Sequence, residues 1–524
     1  MIRRFWKSVI SLVGVSALCA CLFCADIYSK ADFYPEDQRT VVMVDTPTSY
    51  DLNPQTACYT SEAQIATGLY EGLFTYNPVT LEPDYALCTS YTLSRNQKRW
   101  TFTIRKDAKF SDGEPITAQT IKDSWMRLLA NPNAPFSSMI DCISGAEEYR
   151  TGKGSAEDVR ISVRSNTTLV VYLREPTNHL PRILCHHSFS AVSTKDNAYS
   201  GPFALKSYEK GRLEMVKNEH YYDAANVVIP GVTVIQSDDT SNNTFLYNTG
   251  KADWITGDAN AQQILNKDSL HVNAEFGTSY LFFKIKNQPW NNAEFRQALL
   301  EALPYKKLRK DYTIPATTLV YPLSGYPNVV GLEDYDIEDA KLMMQDARKK
   351  AGIPQDQKIT LTFAIIDSQL MQKWASILKK AWEPLGVSLV VQTSTISEYN
   401  PSIPGWDADL FSYSWIGDYA DPLAFLELFR GGSSLNVAGY ANAEYDSLLR
   451  EASLTKDSSE RYKILAKAEQ MLLDDSMVIP ISHPVSLNFI NLNRIGGWTP
   501  NALDLHPFKY LYIRRKIVVP RNVI

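Results

Sequence analysis

From Thr278 to Ile490 the sequence switches repeatedly between a two-residue and a helical hydrophobic period. "TSYLFFKIKN" and "KITLTFAII" read as strands, and "VSLVVQTST" as another. Between and after them, "NAEFRQALLEAL", "DIEDAKLMMQDARKKAG", "LMQKWASILKKAWEPLG" and "SSERYKILAKAEQMLLDDS" read as helices, the second ended by Gly352. "VIPISHPVSLNFI" reads as a last strand pair. Such alternation constrains the chain to an α/β sheet architecture. At 524 residues the chain exceeds one ordinary core, so two or three domains are expected. No linker marks a clean break and no internal repeat is visible, which implies domains that interleave in sequence.

The first half reads differently. "RTVVMVDTPTSYDLNP" is a strand running into a turn, and "SEAQIATGLYEGLF" a helix with Ser61 as its N-cap. A strand over Trp100–Ile104 leads through Asp112-Gly113 to a helix from about Ala118, capped by Thr117, with Ile121, Trp125, Leu128 and Leu129 on its apolar face. Strands follow at Arg160–Val163 and Thr168–Leu173. "SGPFALKSYEKGRLEMVKN" reads as a hairpin closed at Lys210-Gly211.

Composition narrows the function. A net charge of −5 argues against a nucleic-acid binder, which would show a basic surface. The 29 tyrosines offer flat contact area and a hydroxyl at small entropic cost, as binding surfaces use, although most fit half-buried strands. The N-terminus carries Arg3, Arg4 and Lys7 before an apolar run from Val9 to Cys24, an export signal too short for the ~20 residues of a membrane span. Within it, "LCAC" is similar to a bacterial lipobox and makes Cys21 the expected lipidation site. Beyond the leader, Cys58, Cys88, Cys142 and Cys185 lack the close pairing of a zinc site, and four cysteines allow three disulfide connectivities.

Several stretches, in order, resemble the extracellular solute-binding proteins that feed peptide ABC importers, the dipeptide/oligopeptide-binding family (solute-binding family 5). "WTFTIRKDAKFSDGEPITAQTIKDSWMRL" is the most specific. "LNP…YEGLFTYNP", "SGPFAL", "VKNEHYYDA", "YNTGKAD", "NQPWNNAEFRQAL", "GWDADLFSYSWIGDYADPLAFL", "YDSLL" and "RYKILAKAEQMLLDDSMVIPI" extend the resemblance over about residues 40–513. It implies a two-lobed α/β protein of the periplasmic-binding-protein fold with an extra inserted domain and a hinge-closing cleft. The implied parts are a signal peptide and lipobox at 1–25, lobe I at 26–70, the inserted domain at 71–195, lobe I again at 196–277, lobe II at 278–486 and a C-terminal return at 487–524.

The resemblance also assigns a clamp. In "WIGDYADP", Asp418 falls where oligopeptide-binding relatives hold the ligand's α-ammonium group, as a charge-assisted pair. Asp421, directly before Pro422, fits the N-cap of "PLAFLELF" better. Trp415, Tyr419, Phe136 and Tyr247 align with aromatic or ligand-proximal positions, and Thr60 and Cys58 with a loop that contacts the ligand backbone. Relatives meet the ligand carboxylate with two arginines and a histidine, but "NPSIPGWDADLFSYSW" contains no Arg, Lys or His, and Ser412 replaces one of the arginines. That departure reduces the expected length preference and admits a longer or modified ligand.

The implied function is the extracytoplasmic binding component of an ABC importer, capturing oligopeptides for the membrane permease and its ATPase. The expected protein is a periplasmic or cell-surface monomer, tethered through a lipid anchor, without cofactor or metal and without nucleic acid. The alternatives are a carrier of a specialised ligand (a cell-wall peptide, a metal chelate or a signal peptide) and a peptide hydrolase. No nucleophile elbow, His-Glu-x-x-His, Walker or Gly-x-Gly-x-x-Gly motif supports an enzyme. "ILCHHSF" places His186 and His187 side by side, and on a strand they would face opposite sides, which disfavours joint metal ligation.

Overall fold

The structure, a computed structural model, describes residues 39–514 except positions 47, 48, 311, 324, 418, 420 and 456. Two mixed sheets form the two lobes. The lobe I sheet has seven strands and draws them from three separated stretches: Val41–Asp45, the run from Phe203–Glu209 to Leu270–Ala274, and Val485–Ile490. The lobe II sheet has five, in the order Val387–Ser394, Ile359–Ile366, Leu410–Ile416, Gly277–Phe283 and Val478–Ser482. A four-stranded antiparallel sheet, Cys88–Leu93, Arg99–Ile104, Thr168–Tyr172 and Ile161–Ser165, belongs to the stretch inserted between the first two pieces of lobe I.

Local chemistry explains these elements. Helix Ala118–Ala130 starts where the Thr117 hydroxyl accepts the Thr120 N–H, and Ile121, Trp125, Leu128 and Leu129 are buried along one stripe. Ile359–Ile366 and Val387–Ser394 run parallel, joined by helix Gln369–Trp382 with Ser368 as its cap, so this is a βαβ unit. Lys210 and Gly211 both adopt positive φ (50° and 73°), as a two-residue type I′ hairpin between Phe203–Glu209 and Arg212–Lys217 requires.

The strand pair expected from "VIPISHPVSLNFI" is divided between the lobes. Val478–Ser482 pairs with Gly277–Phe283 in lobe II, whereas Val485–Ile490 pairs with Trp254–Thr256 and Leu270–Ala274 in lobe I. The chain therefore crosses between lobes at residues 275–276 and again at 483–484. The two crossings lie side by side, tied by the Glu275 N–H to the Pro484 carbonyl at 3.0 Å. Short paired connectors of this kind can absorb hinge rotation without disturbing either sheet.

Glu275 lies buried at the first crossing. Burial, with the Asp504 charge adding to it, pushes its carboxyl up from 4.5 to about 8. Between those values the native chain holds a proton that the unfolded chain releases, so this group's stabilising contribution is lost as pH rises from about 4.5 to about 8. Glu275→Gln keeps the neutral shape. It is expected to flatten that slope and raise stability near pH 9 by on the order of a few kcal/mol. The urea midpoint at several pH values checks this, and an unaltered pH profile would contradict it.

Candidate ligand-binding cleft

Between the lobes lies a cavity of about 370 Å3, within the range of small-ligand sites. Lobe I contributes the residues around helix Thr60–Leu69, whose start is fixed by an unexpected group. Ser61 does not cap it. The buried Glu62 carboxylate reaches back instead and accepts the N–H groups of Asp51 (2.8 Å), Cys58 (2.7 Å) and Tyr59 (3.0 Å). Burial raises the Glu62 pKa, with those three donors opposing the shift. The result places Cys58, Tyr59 and Thr60 on the cavity wall.

Lobe II contributes strand Leu410–Ile416. One edge pairs along its whole length with Gly277–Phe283. The other meets the parallel strand Ile359–Ile366 only at Leu410 and Phe411. From Ser412 to Ile416 that second edge has no strand partner among the described residues, and these same residues line the cavity. Tyr399 closes the start of the open edge: its hydroxyl accepts the Ser412 N–H at 3.1 Å and donates to the Ser412 carbonyl at 2.9 Å. An unpaired strand edge beside a cavity is a template for an extended chain.

Gly417, which follows the strand, is required by close approach. A Cβ there would stand 2.6 Å from the Phe276 ring, and its N–H donates to the Phe276 carbonyl at 2.7 Å. The cleft wall is thereby bonded directly to the interlobe crossing.

The inserted stretch supplies Phe136, whose ring centroid is 6.1 Å from Trp415 and 4.3 Å from His186. His186 and His187 both line the cavity. They lie not on a strand but at a tight helical turn, His187–Phe189, with ring centroids 4.0 Å apart. Burial lowers both imidazole pKa values, that of His187 to about 4, so both are neutral. No group of three or more metal-ligating side chains occurs among the described residues. Cys58 and Cys185 also face the cavity, and burial pushes the Cys58 thiol up to about 12 and that of Cys185 well above its ordinary value. The four described cysteines are free thiols.

Of the residues singled out in the sequence, Cys58, Thr60, Phe136, Ser412 and Trp415 meet at this cavity. Tyr419 does not line it. It is buried against His179, stacked at 5.9 Å, and borders a neighbouring cavity of about 480 Å3. Tyr247 is elsewhere: it packs on the lobe I sheet with Val44, Ile255 and Phe489. Asp418 and Cys21 lie outside the described residues. Asp421 accepts the Leu423 N–H at 2.9 Å, at the start of the short helix Leu423–Leu426, and also pairs with Arg461. Tyr59 and Tyr399, which also line the cavity, carried no sequence signal beyond the abundance of tyrosine, while Tyr70 and Tyr413, also on its wall, stand within family stretches without having been singled out.

The lobes touch across the cleft. The Tyr59 hydroxyl donates to the Ile396 carbonyl at 2.6 Å, and Ser434 of lobe II bonds to the Pro135 carbonyl (2.7 Å) and Ser138 (2.9 Å) of the inserted stretch. Two sheets on adjacent crossings, meeting over an interlobe cavity, define a two-lobed protein with a cleft between its lobes. The family model for bacterial extracellular solute-binding proteins, family 5 Middle, matches residues 82–436, and the chain belongs to that family. It is thus an extracytoplasmic binding protein and not an enzyme, which sets the hydrolase alternative aside.

Among curated relatives, the oligopeptide-binding protein OppA of Bacillus subtilis is 27% identical over 517 residues, covering 91% of this chain and 94% of its own. Among solved structures, the Escherichia coli murein tripeptide binding protein MppA superposes with a TM-score of 0.81 at 24% identity, over 92% of this chain and 99% of that one. The unliganded open form of MppA gives a TM-score of only 0.62, at 24% identity and over 92% and 98% of the chains. In this chain, hydrogen bonds across the cleft tie the lobes to each other.

Proposed function

We propose that this chain captures oligopeptides between its lobes and delivers them to the membrane permease of an ABC importer, with Asp418 holding the ligand's α-ammonium group. The observation that carries this reading is the open edge of strand Leu410–Ile416 beside the cavity, to which an extended peptide can add its main-chain hydrogen bonds without regard to side chain. The name of the Bacillus subtilis relative supports the ligand class. The sequence supports the clamp, because Asp418 follows Gly417 of the cavity wall by one residue. Calorimetry with a short peptide and its N-acetylated form tests it. The free amine is expected to bind, with acetylation reducing affinity at least a hundredfold; equal affinity would remove the ammonium clamp.

The lipobox-like "LCAC" supports a tether at Cys21. Cys21→Ala is expected to abolish incorporation of a labelled fatty acid in a bacterial host, and continued labelling would refute the anchor. Because both cavity walls come from a single chain, a monomer suffices for binding, and light scattering that showed a stable dimer would correct this point.

A further inference from the structure

The wall of the cleft is nearly without charge. Among its described residues Glu71 alone bears a charged side chain, and that carboxylate is already engaged. The Lys509 ammonium sits 3.1 Å from it and the Tyr221 hydroxyl donates to it, both from behind the wall. Burial alone would lower the Lys509 pKa, but Glu71 outweighs it and the lysine is held charged. No arginine or lysine belongs to the described lining, and the two histidines there are neutral. What remains is uncharged: aromatic rings, aliphatic groups, the Met371 thioether, the Cys58 and Cys185 thiols, the Asn400 amide and hydroxyls such as Thr60, Ser279 and Ser414.

A carboxylate or a charged side chain enclosed here would give up its hydration and meet no counter-charge, which is costly. An amide, a hydroxyl or an apolar side chain would meet partners of its own kind. We infer that the peptide portion enclosed in the cleft is uncharged beyond its α-ammonium group: apolar or hydroxylated side chains, ending in an amide or otherwise lacking a free carboxylate. This rests on the peptide reading given above and specifies its substrate class.

The test uses the full chain and the tripeptide Ala-Phe-Leu, prepared as free acid, as C-terminal amide and as N-acetyl amide, each titrated by calorimetry. The amide is expected to bind tighter than the free acid by tenfold or more. Equal or tighter binding of the free acid, with acetylation still abolishing affinity, would overturn this inference and leave the peptide clamp standing. Binding by none of the three forms would overturn the peptide reading and this inference with it.

Discussion

Asp418→Asn is expected to weaken peptide binding by roughly 2–5 kcal/mol, the usual consequence of removing one charge from a desolvated pair. The substitution keeps the side chain's size and one acceptor oxygen, so the loss isolates the charge. The described cavity wall offers no second free carboxylate to replace Asp418, because Glu71 is committed to Lys509. Water is the remaining source of compensation, and the lobes meet across the cleft through Tyr59 and Ser434. Calorimetry on the variant checks this, with thermal unfolding as a control that the fold is intact. An affinity unchanged from the parent would refute the role given to Asp418.

Arg461→Met should destabilise the fold by about 1.5–3 kcal/mol, because it leaves a half-buried carboxylate without its cation. Arg461 grips Asp421 with two nitrogens, at 2.5 and 2.8 Å, and both side chains are 14% exposed. Without the arginine, Asp421 retains the Leu423 N–H at 2.9 Å, too little to hold a desolvated charge. Since Asp421 lies three positions after Asp418, ligand affinity should fall as well. The double variant Asp421→Asn with Arg461→Met should recover part of the stability, because it buries no uncompensated ion. Urea midpoints read both effects. A single-variant loss below about 1 kcal/mol would place this pair with solvated surface bridges.

Where structure depends on near neighbours in the chain, the sequence was a good guide. Thr117 caps its helix, Gly352 ends another in the left-handed conformation at φ +68°, and Lys210-Gly211 turns the hairpin. Each is decided by two or three adjacent residues. The two-lobed α/β class was also legible, through strand and helix periods and a family signature spread along the chain. Elements that depend on distant partners were not. Ser61 is a natural cap, but the Glu62 carboxylate wins by satisfying three N–H groups at once. Asp421 was read as a cap, and its pairing with Arg461 forty residues away follows only from the fold. Hydrophobic period shows that "VIPIS" and "VSLNFI" are strands, but not that His483-Pro484 carries the chain from one lobe to the other.

The site divides along the same line. The loop at Cys58–Thr60 and the segment ending in Trp415 were visible through family motifs, because those stretches keep recognisable sequence around them. Tyr247 lies in such a stretch as well, yet its helix is directed into the lobe I core. Tyr70, Tyr399 and Tyr413 reach the cavity from three separate elements, and no spacing along the chain links them. The open edge of strand Leu410–Ile416 could not be read at all, since it depends on where the neighbouring strand stops pairing.

The most direct test of peptide capture is native mass spectrometry of protein purified gently from cells, followed by tandem analysis of whatever it releases. A heterogeneous set of short peptides with free N-termini is the predicted cargo. A single non-peptide compound bound at one molecule per chain would contradict it.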